Sequence, residues 1–164
     1  MAEDLAINGG VARVTTLLLA LLFTSPAVVA AELKPFVSDG CSSFPDGTIS
    51  HQSLWVSCCI RHDLSYWKGG TYEERLKVDR ALEQCVAKVG KPKVAKLMLA
   101  GVRVGGSPYF PTNYRWGYGW PYLRGYKALS EPEKGEVSSK LEMLGVMIKS
   151  ISQELEVSRS SEEK

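Results

Sequence analysis

The sequence predicts a mainly α-helical domain built on an antiparallel helix hairpin that disulfide bonds tie together. Four cysteines follow a stretch that is typical of an export signal, and an oxidising compartment favours their pairing as disulfides. Two segments that favour helix are separated by only a few residues, which include Gly69-Gly70-Thr71. So short a connection makes consecutive helices antiparallel.

The composition is that of one globular domain. The chain has 164 residues, of which 45% are hydrophobic and 23% are charged, and this is enough for a single modest core. The net charge is only +2, and no run of Lys or Arg accompanies it. These values argue against nucleic acid as a partner.

Residues 1–30 do not fit a globular domain. The stretch Thr15–Leu22 is almost wholly apolar, and Pro26 is followed by small residues as far as Ala31. This order is typical of a secretory signal with its cleavage site, so we expect an exported protein, secreted or periplasmic. The acidic residues Glu3 and Asp4 are atypical of such a signal, and an uncleaved anchor is the alternative.

Cleavage leaves one domain over residues 31–157 and a polar tail over residues 158–164 that we expect to be frayed. Removing one basic and two acidic residues raises the net charge from +2 to +3. The domain begins with Phe36–Gly47, which is rich in turn-forming residues and predicts a structured loop.

Three helices are predicted in the central part of the domain. The first runs from about Ser53 to Tyr66 and ends at the glycine pair that starts at Gly69. Thr71 and Glu74 have the spacing of a capping box, which opens the second helix. A shorter third helix is predicted from about Lys93 to Val102.

Residues 105–126 hold eight of the fifteen aromatic residues. Five of them alternate with other residues: Tyr114, Trp116, Tyr118, Trp120 and Tyr122. This alternation predicts an aromatic-rich extended segment with its rings on one face, although the interspersed glycines leave an irregular loop as the alternative. Residues 109–126 could contact a membrane interface, but we favour packing over the hairpin.

A last, C-terminal helix is predicted after the N-cap residue Ser130. Its apolar residues step by three and four along one stripe: Leu141, Leu144, Ile148, Ile151 and Leu155. Such a stripe is typical of a core face or a self-association seam. Too many charges accompany it for a membrane-spanning helix.

The four cysteines allow three pairings, and a bridge between the neighbours Cys58 and Cys59 is disfavoured because it strains the backbone. Zinc is the competing use, but the spacing lacks paired Cys-x-x-Cys clusters. In an antiparallel hairpin that turns near Thr71, Cys58 and Cys85 lie at nearly equal distances from the turn and should face each other. That bridge leaves Cys41 to pair with Cys59.

The same symmetry about the turn makes His62 face Asp79. An imidazole can take a proton from water, and a carboxylate bonded to its other nitrogen can orient the ring. These are the catalytic groups that ester hydrolysis needs. Asp63 lies beside the turn-rich loop, where a carboxylate and backbone carbonyls would suit Ca2+. The other histidine, His51, is interpreted as a surface residue.

These residues resemble the secreted phospholipase A2 family, and its bacterial and fungal branch in particular. The stretch Cys58–Tyr66 carries the family signature Cys-Cys-x-x-His-Asp-x-x-Tyr, and Asp79–Cys85 is similar to the second-helix motif. Asp39-Gly40-Cys41 resembles the start of the calcium loop. The match covers about residues 39–86, and the positions of a third family bridge hold Ser65 and Val78 instead.

The resemblance implies an enzyme, a carboxylic ester hydrolase of lipid degradation that cleaves the sn-2 ester of glycerophospholipids. It implies that His62 activates water, that Asp79 orients His62, and that Tyr66 hydrogen-bonds Asp79. The implied partner is a phospholipid or membrane surface, and no protein partner is indicated.

The resemblance also implies a Ca2+ cofactor, held by Asp63, the carbonyl of Gly40 and the side chain of Asp39. The loop that follows, Ser42–Gly47, departs from the family's glycine-rich pattern. The alternative function is therefore a non-catalytic phospholipase A2-like module that binds lipid or a partner, and a purely structural envelope protein is a third candidate.

Overall fold

A computed structural model of the protein describes residues 32–89 and 91–162. The predicted signal segment, residues 1–30, lies outside this part of the chain. Four helices and no strand occur in the described residues: α1 (Val56–Lys68), α2 (Tyr72–Lys88), α3 (Pro92–Gly105) and α4 (Glu131–Glu162). None of these helices has the length and apolar character needed to cross a membrane. The predicted mainly α fold class is confirmed, together with its two disulfides.

Helices α1 and α2 form the predicted antiparallel hairpin. The Thr71 hydroxyl accepts the Glu74 amide, and the Glu74 carboxylate accepts the Thr71 amide, so the predicted capping box is present. Gly69 ends α1 with a φ of 66°, which an L side chain rarely adopts. Cys58 is bonded to Cys85 at the far end of the hairpin, and this contact fixes the antiparallel direction.

The first hydrophobic core lies between the hairpin and α3. Its buried members come from the loop before α1 and from all three helices: Trp55, Cys58, Cys59, Leu82, Val86, Ala95 and Met98. Helix α3 begins with Pro92 in its first turn, where the missing amide proton costs no hydrogen bond. The core therefore holds α3 across the hairpin, beside the residues that the sequence marks as functional.

The aromatic segment is not extended, which corrects the sequence prediction. Gly117 and Gly125 have φ values of 73° and 68°, and these left-handed positions turn the chain back on itself. The guanidinium of Arg115 donates to the carbonyls of Gly117 and Trp120 at 2.7 Å each, which holds the turn closed. As a result, Trp120 is buried while Tyr122 is about half exposed, so the rings do not share one face.

The turned aromatic segment closes the C-terminal end of α1. The indole N–H of Trp116 donates to the carbonyl of Gly70, and that of Trp120 donates to the carbonyl of Lys68, both at 2.8 Å. The amide of Gly117 donates to the carbonyl of Tyr66 at 2.7 Å. These bonds satisfy carbonyls that a helix end leaves free, and they confirm that the segment packs over the hairpin.

A second core joins the aromatic segment, the N-terminal arm and the start of α4. Leu33, Trp67, Trp120 and Val137 are its buried members. The amide of Lys34 donates to the carbonyl of Gly119 at 2.8 Å, which ties the arm to the aromatic segment. The first turns of α4 are thus part of the globular body.

The polar tail is helical as far as Glu162, whereas the sequence predicted a frayed segment from Ser158. The hydroxyl of Ser158 donates to the carbonyl of Glu154 at 3.0 Å, and that of Ser161 donates to the carbonyl of Ser158 at 2.6 Å. Serine hydroxyls that bond one turn back remain compatible with a helix. The serines therefore do not end α4.

Candidate active site

The structure brings His62, Asp79 and Tyr66 together in the interior of the hairpin. Nε2 of His62 lies 3.2 Å from Oδ1 of Asp79, and the hydroxyl of Tyr66 donates to the same oxygen at 2.7 Å. His62 is 8% exposed and Asp79 is fully buried. The rings of His62 and Tyr66 stack with centroids 4.1 Å apart. Asp79 thus orients the imidazole of His62, and Tyr66 in turn holds Asp79. The approach of His62 to Asp79 agrees with the prediction from the helix spacing.

Two arginines that the sequence analysis missed complete the surroundings of Asp79. Nε of Arg103 lies 2.8 Å from Oδ2 of Asp79, and Nε of Arg75 lies 3.8 Å from it. Arg75 also donates to the hydroxyl of Tyr66 at 3.1 Å and to the carbonyl of Val102 at 2.8 Å. A fully buried carboxylate needs such partners to remain charged.

The two histidine nitrogens have different surroundings. Nε2 faces Asp79, while Nδ1 lies 3.8 Å from Oδ1 of Asp63. Burial lowers the pKa of His62. Hydrogen bonds to Asp63 and Asp79, together with their negative charges, outweigh the effect of burial, so the pKa of His62 is raised above its ordinary value. Burial, reinforced by the charge of Asp79, raises the pKa of Tyr66 as well. Tyr66 therefore remains a proton donor to Asp79 at any physiological pH.

Both disulfides have the predicted pairing and fix the loop at the mouth of the site. Cys58 is bonded to Cys85 within the hairpin, and Cys41 is bonded to Cys59, which ties the loop to α1. Asp46, which the sequence analysis missed, accepts the amide of Cys41 at 2.8 Å. Its carboxylate lies so close to Gly40, whose φ is 80°, that a Cβ there would be 2.4 Å from an oxygen. The loop conformation thus depends on that glycine.

The three predicted metal ligands are only partly brought together. Asp63 and Gly40 both line the cavity that contains His62, and Oδ2 of Asp63 accepts the hydroxyl of Ser38 at 2.6 Å. The side chain of Asp39 instead accepts the hydroxyl of Ser42 at 2.8 Å in an exposed position. His51, as predicted, is exposed.

The carboxylate of Asp63 and main-chain carbonyls of the loop would offer only oxygen ligands, which fits Ca2+ better than a soft metal. Within the described residues, no three His, Cys, Asp or Glu side chains converge as a ready-made metal site. The fit to calcium therefore depends on Asp63 and on main-chain oxygens of the loop that contains Gly40.

A cavity of about 400 Å³ leads from the surface to His62. Residues of the loop, from Gly40 to Phe44, form one wall, and α3 forms the opposite wall with Leu97, Met98, Gly101, Val102 and Gly105. The glycines of α3 leave open space, since a Cβ at Gly101 or Gly105 would meet no atom within 4 Å. The cavity is thus a mostly apolar channel whose lining includes the imidazole of His62 and the carboxylate of Asp63.

Three residues of the site were not identified from the sequence and are recognised only in the folded structure: Ser38, Asp46 and Arg103. A spacing signal did exist for Arg75, because residues four apart share one face of a helix, and Arg75 precedes Asp79 by four.

Comparison with family models, with curated proteins and with solved structures finds no match for this chain. The resemblance to the phospholipase A2 family accordingly remains a prediction from the sequence motifs.

Proposed function

We propose that this protein is a calcium-dependent hydrolase of the sn-2 ester of glycerophospholipids, resembling the secreted phospholipases A2. One observation carries the proposal: His62, which is paired with Asp79, lines an apolar channel, and a second carboxylate, Asp63, lines it as well. A lipid hydrolase needs a base, an oxygen-rich site for developing charge and an apolar wall for an acyl chain.

The roles of the side chains follow from their contacts. When the Nε2–H of His62 donates to Asp79, Nδ1 is left as the acceptor of a proton from water. Asp79 stabilises the imidazolium that forms, and Tyr66 and Arg75 keep the carboxylate in place. The activated water adds to the ester carbonyl, and the proton passes from His62 to the departing lysophospholipid oxygen, so that a fatty acid and a lysophospholipid are released.

Asp63 and main-chain oxygens around Gly40 would hold the calcium ion. When bound there, Ca2+ would polarise the ester carbonyl and offset the negative charge that develops on its oxygen. The hydroxyl of Ser38 already bonds Oδ2 of Asp63 and keeps that carboxylate turned toward the loop.

The rim of the channel supports a lipid substrate. Leu97 and Tyr114 line the channel and are also exposed. Further exposed apolar side chains lie close to them in the sequence, including Val104, Tyr109 and Phe110. Aromatic and aliphatic side chains of this kind favour the membrane–water interface. A phospholipid could therefore pass its acyl chain along α3 without leaving an apolar environment.

The test is fatty-acid release from phosphatidylcholine vesicles whose sn-1 and sn-2 chains differ in mass. The purified, oxidised protein should release the sn-2 chain in the presence of Ca2+, and EDTA should abolish release. His62→Ala should lower the rate by about 10²–10⁴-fold, the range for loss of a general base. The matched control is His51→Ala, which removes the exposed histidine and should leave the rate unchanged.

Equal rates for the wild type and His62→Ala would refute the proposal. A wild-type protein that binds vesicles and releases no fatty acid with Ca2+ would instead support the alternative, a non-catalytic lipid-binding module. Far-UV circular dichroism of each variant shows whether it retains the helical fold, which separates loss of the base from loss of structure.

A further inference from the structure

Helix α4 has two halves with different surroundings. Val137 is buried in the second core, and Leu141 packs against that core. Every residue from 145 to 161 is exposed. The exposed half nevertheless carries large apolar side chains, with Ile148 at 55%, Ile151 at 49% and Leu155 at 62% exposure. A soluble surface rarely presents such a row without a partner.

The apolar row has the spacing of a coiled-coil seam. Val137, Leu141, Leu144, Ile148, Ile151 and Leu155 alternate in steps of four and three, which are the a and d positions of a heptad repeat. A helix that packs against a flat or irregular surface needs no such strict alternation. The pattern therefore indicates another helix as the occupant.

The globular body occupies the first part of this seam. Because Val137 and Leu141 face their own body, a parallel second helix would force the two bodies into the same space between the helices. An antiparallel second copy avoids this conflict, since the two bodies then lie at opposite ends of the pair and each faces only the polar C-terminal end of the other helix. In that arrangement Leu144 faces Leu155 of the second copy, and Ile148 faces Ile151.

The end of the apolar row agrees with antiparallel pairing. Beyond Val157 the helix carries Ser158, Arg159, Ser160 and Ser161. In the antiparallel pair these polar residues would lie opposite the first turns of α4 in the second copy, which pack against the globular body of that copy. The flanking positions Gly145 and Ser152 would face each other across the pair and allow close approach of the two backbones. The free apolar positions thus match their counterparts from end to end.

Charge and area favour a second copy over a membrane. From residue 144 onward, three basic residues, Lys149, Arg159 and Lys164, accompany four acidic residues: Glu154, Glu156, Glu162 and Glu163. Helices that lie on anionic membranes carry an excess of basic residues. A seam over residues 144–155 would be about 18 Å long and bury on the order of 1,000 Å² in total, near the lower limit of specific interfaces.

We propose that the exposed half of α4 pairs with the same segment of a second copy as an antiparallel two-helix seam, giving a reversible homodimer. The two globular bodies lie at opposite ends of the seam, so both candidate active sites stay open. The modest area makes the dimer dissociate in the micromolar range.

Sedimentation equilibrium of the purified, oxidised protein, from low to high micromolar concentration, tests the pairing. Ile148→Lys and Ile151→Glu should each weaken the dimer by about tenfold or more. The double variant should recover association, because the antiparallel seam places each lysine opposite a glutamate of the second copy. Gln153→Lys makes a similar charge change on the opposite face of α4 and should leave association unchanged.

A wild-type protein that stays monomeric at every concentration would overturn the proposal, and so would a dimer that Ile148→Lys leaves intact. A double variant that associates no better than the single ones would overturn the antiparallel arrangement, because a parallel seam juxtaposes like charges. Residues 148 and 151 are exposed, so the variants keep the fold, and unchanged vesicle hydrolysis by the variants separates this test from that of the proposed function.

Discussion

The surroundings of Asp79 and the exposed half of α4 differ in burial and in the number of contacts that each makes. Asp79 is fully buried and lies within 4 Å of His62, Tyr66, Arg75 and Arg103. Residues 145–161 are all exposed. The contrast shows that one part of the molecule is specified by many mutually dependent contacts, whereas the other is an almost independent helix with exposed side chains.

The largest expected effect comes from removing the charge of Asp79. Asp79→Asn leaves the guanidinium groups of Arg75 and Arg103 without their counter-charge, and the loss of one partner of a buried ion pair costs about 3–5 kcal/mol. Urea unfolding of the oxidised protein measures this cost. The same change in α4, Glu154→Gln, should alter the free energy of unfolding by less than about 0.5 kcal/mol. Similar values for both variants would contradict the contrast.

A second comparison uses one substitution at two glycines. Gly69→Ala should destabilise the protein by about 2 kcal/mol, because φ is 66° there and a Cβ would lie 2.8 Å from the Cα of Gly117. Gly135→Ala, in α4, meets no atom within 4 Å and should stabilise the helix by about 0.5–1 kcal/mol. Thermal unfolding of the two variants should therefore shift in opposite directions, and a shared direction would refute this reading of the two sites.

The smallest expected effect lies where α4 joins the body. Arg124 donates to the carboxylate of Glu133 and lowers the pKa of Glu133 to about 2, from an ordinary value of 4.5. Because the folded-state pKa is depressed, the stabilisation is complete above pH 4.5 and is lost as the pH falls toward 2. Glu133→Gln should cost about 1 kcal/mol at neutral pH. The gap between wild-type and variant stability should close in acid, and a gap that persists at low pH would show that the carboxylate charge is not its source.

The sequence predicted the hairpin, its bridges and the approach of His62 to Asp79, because all three depend on spacing about one short turn. It failed for the aromatic segment, where alternation suggested an extended chain. Positive φ angles at Gly117 and Gly125 decide that conformation, and they reflect packing against the end of α1. Arg103 could not be predicted either, since its direction depends on how α3 lies across α2.

The adjacent cysteines of α1 have a consequence for oxidative folding. Cys58 and Cys59 point about 100° apart around the helix, one toward Cys85 and the other toward Cys41. Exchanging their partners would require α1 to rotate about its axis, and that rotation would swing His62 away from Asp79. Molecules with exchanged thiol partners should not assemble the imidazole–carboxylate pair, so regain of the proposed hydrolytic activity after reoxidation would report how faithfully the bonds have formed.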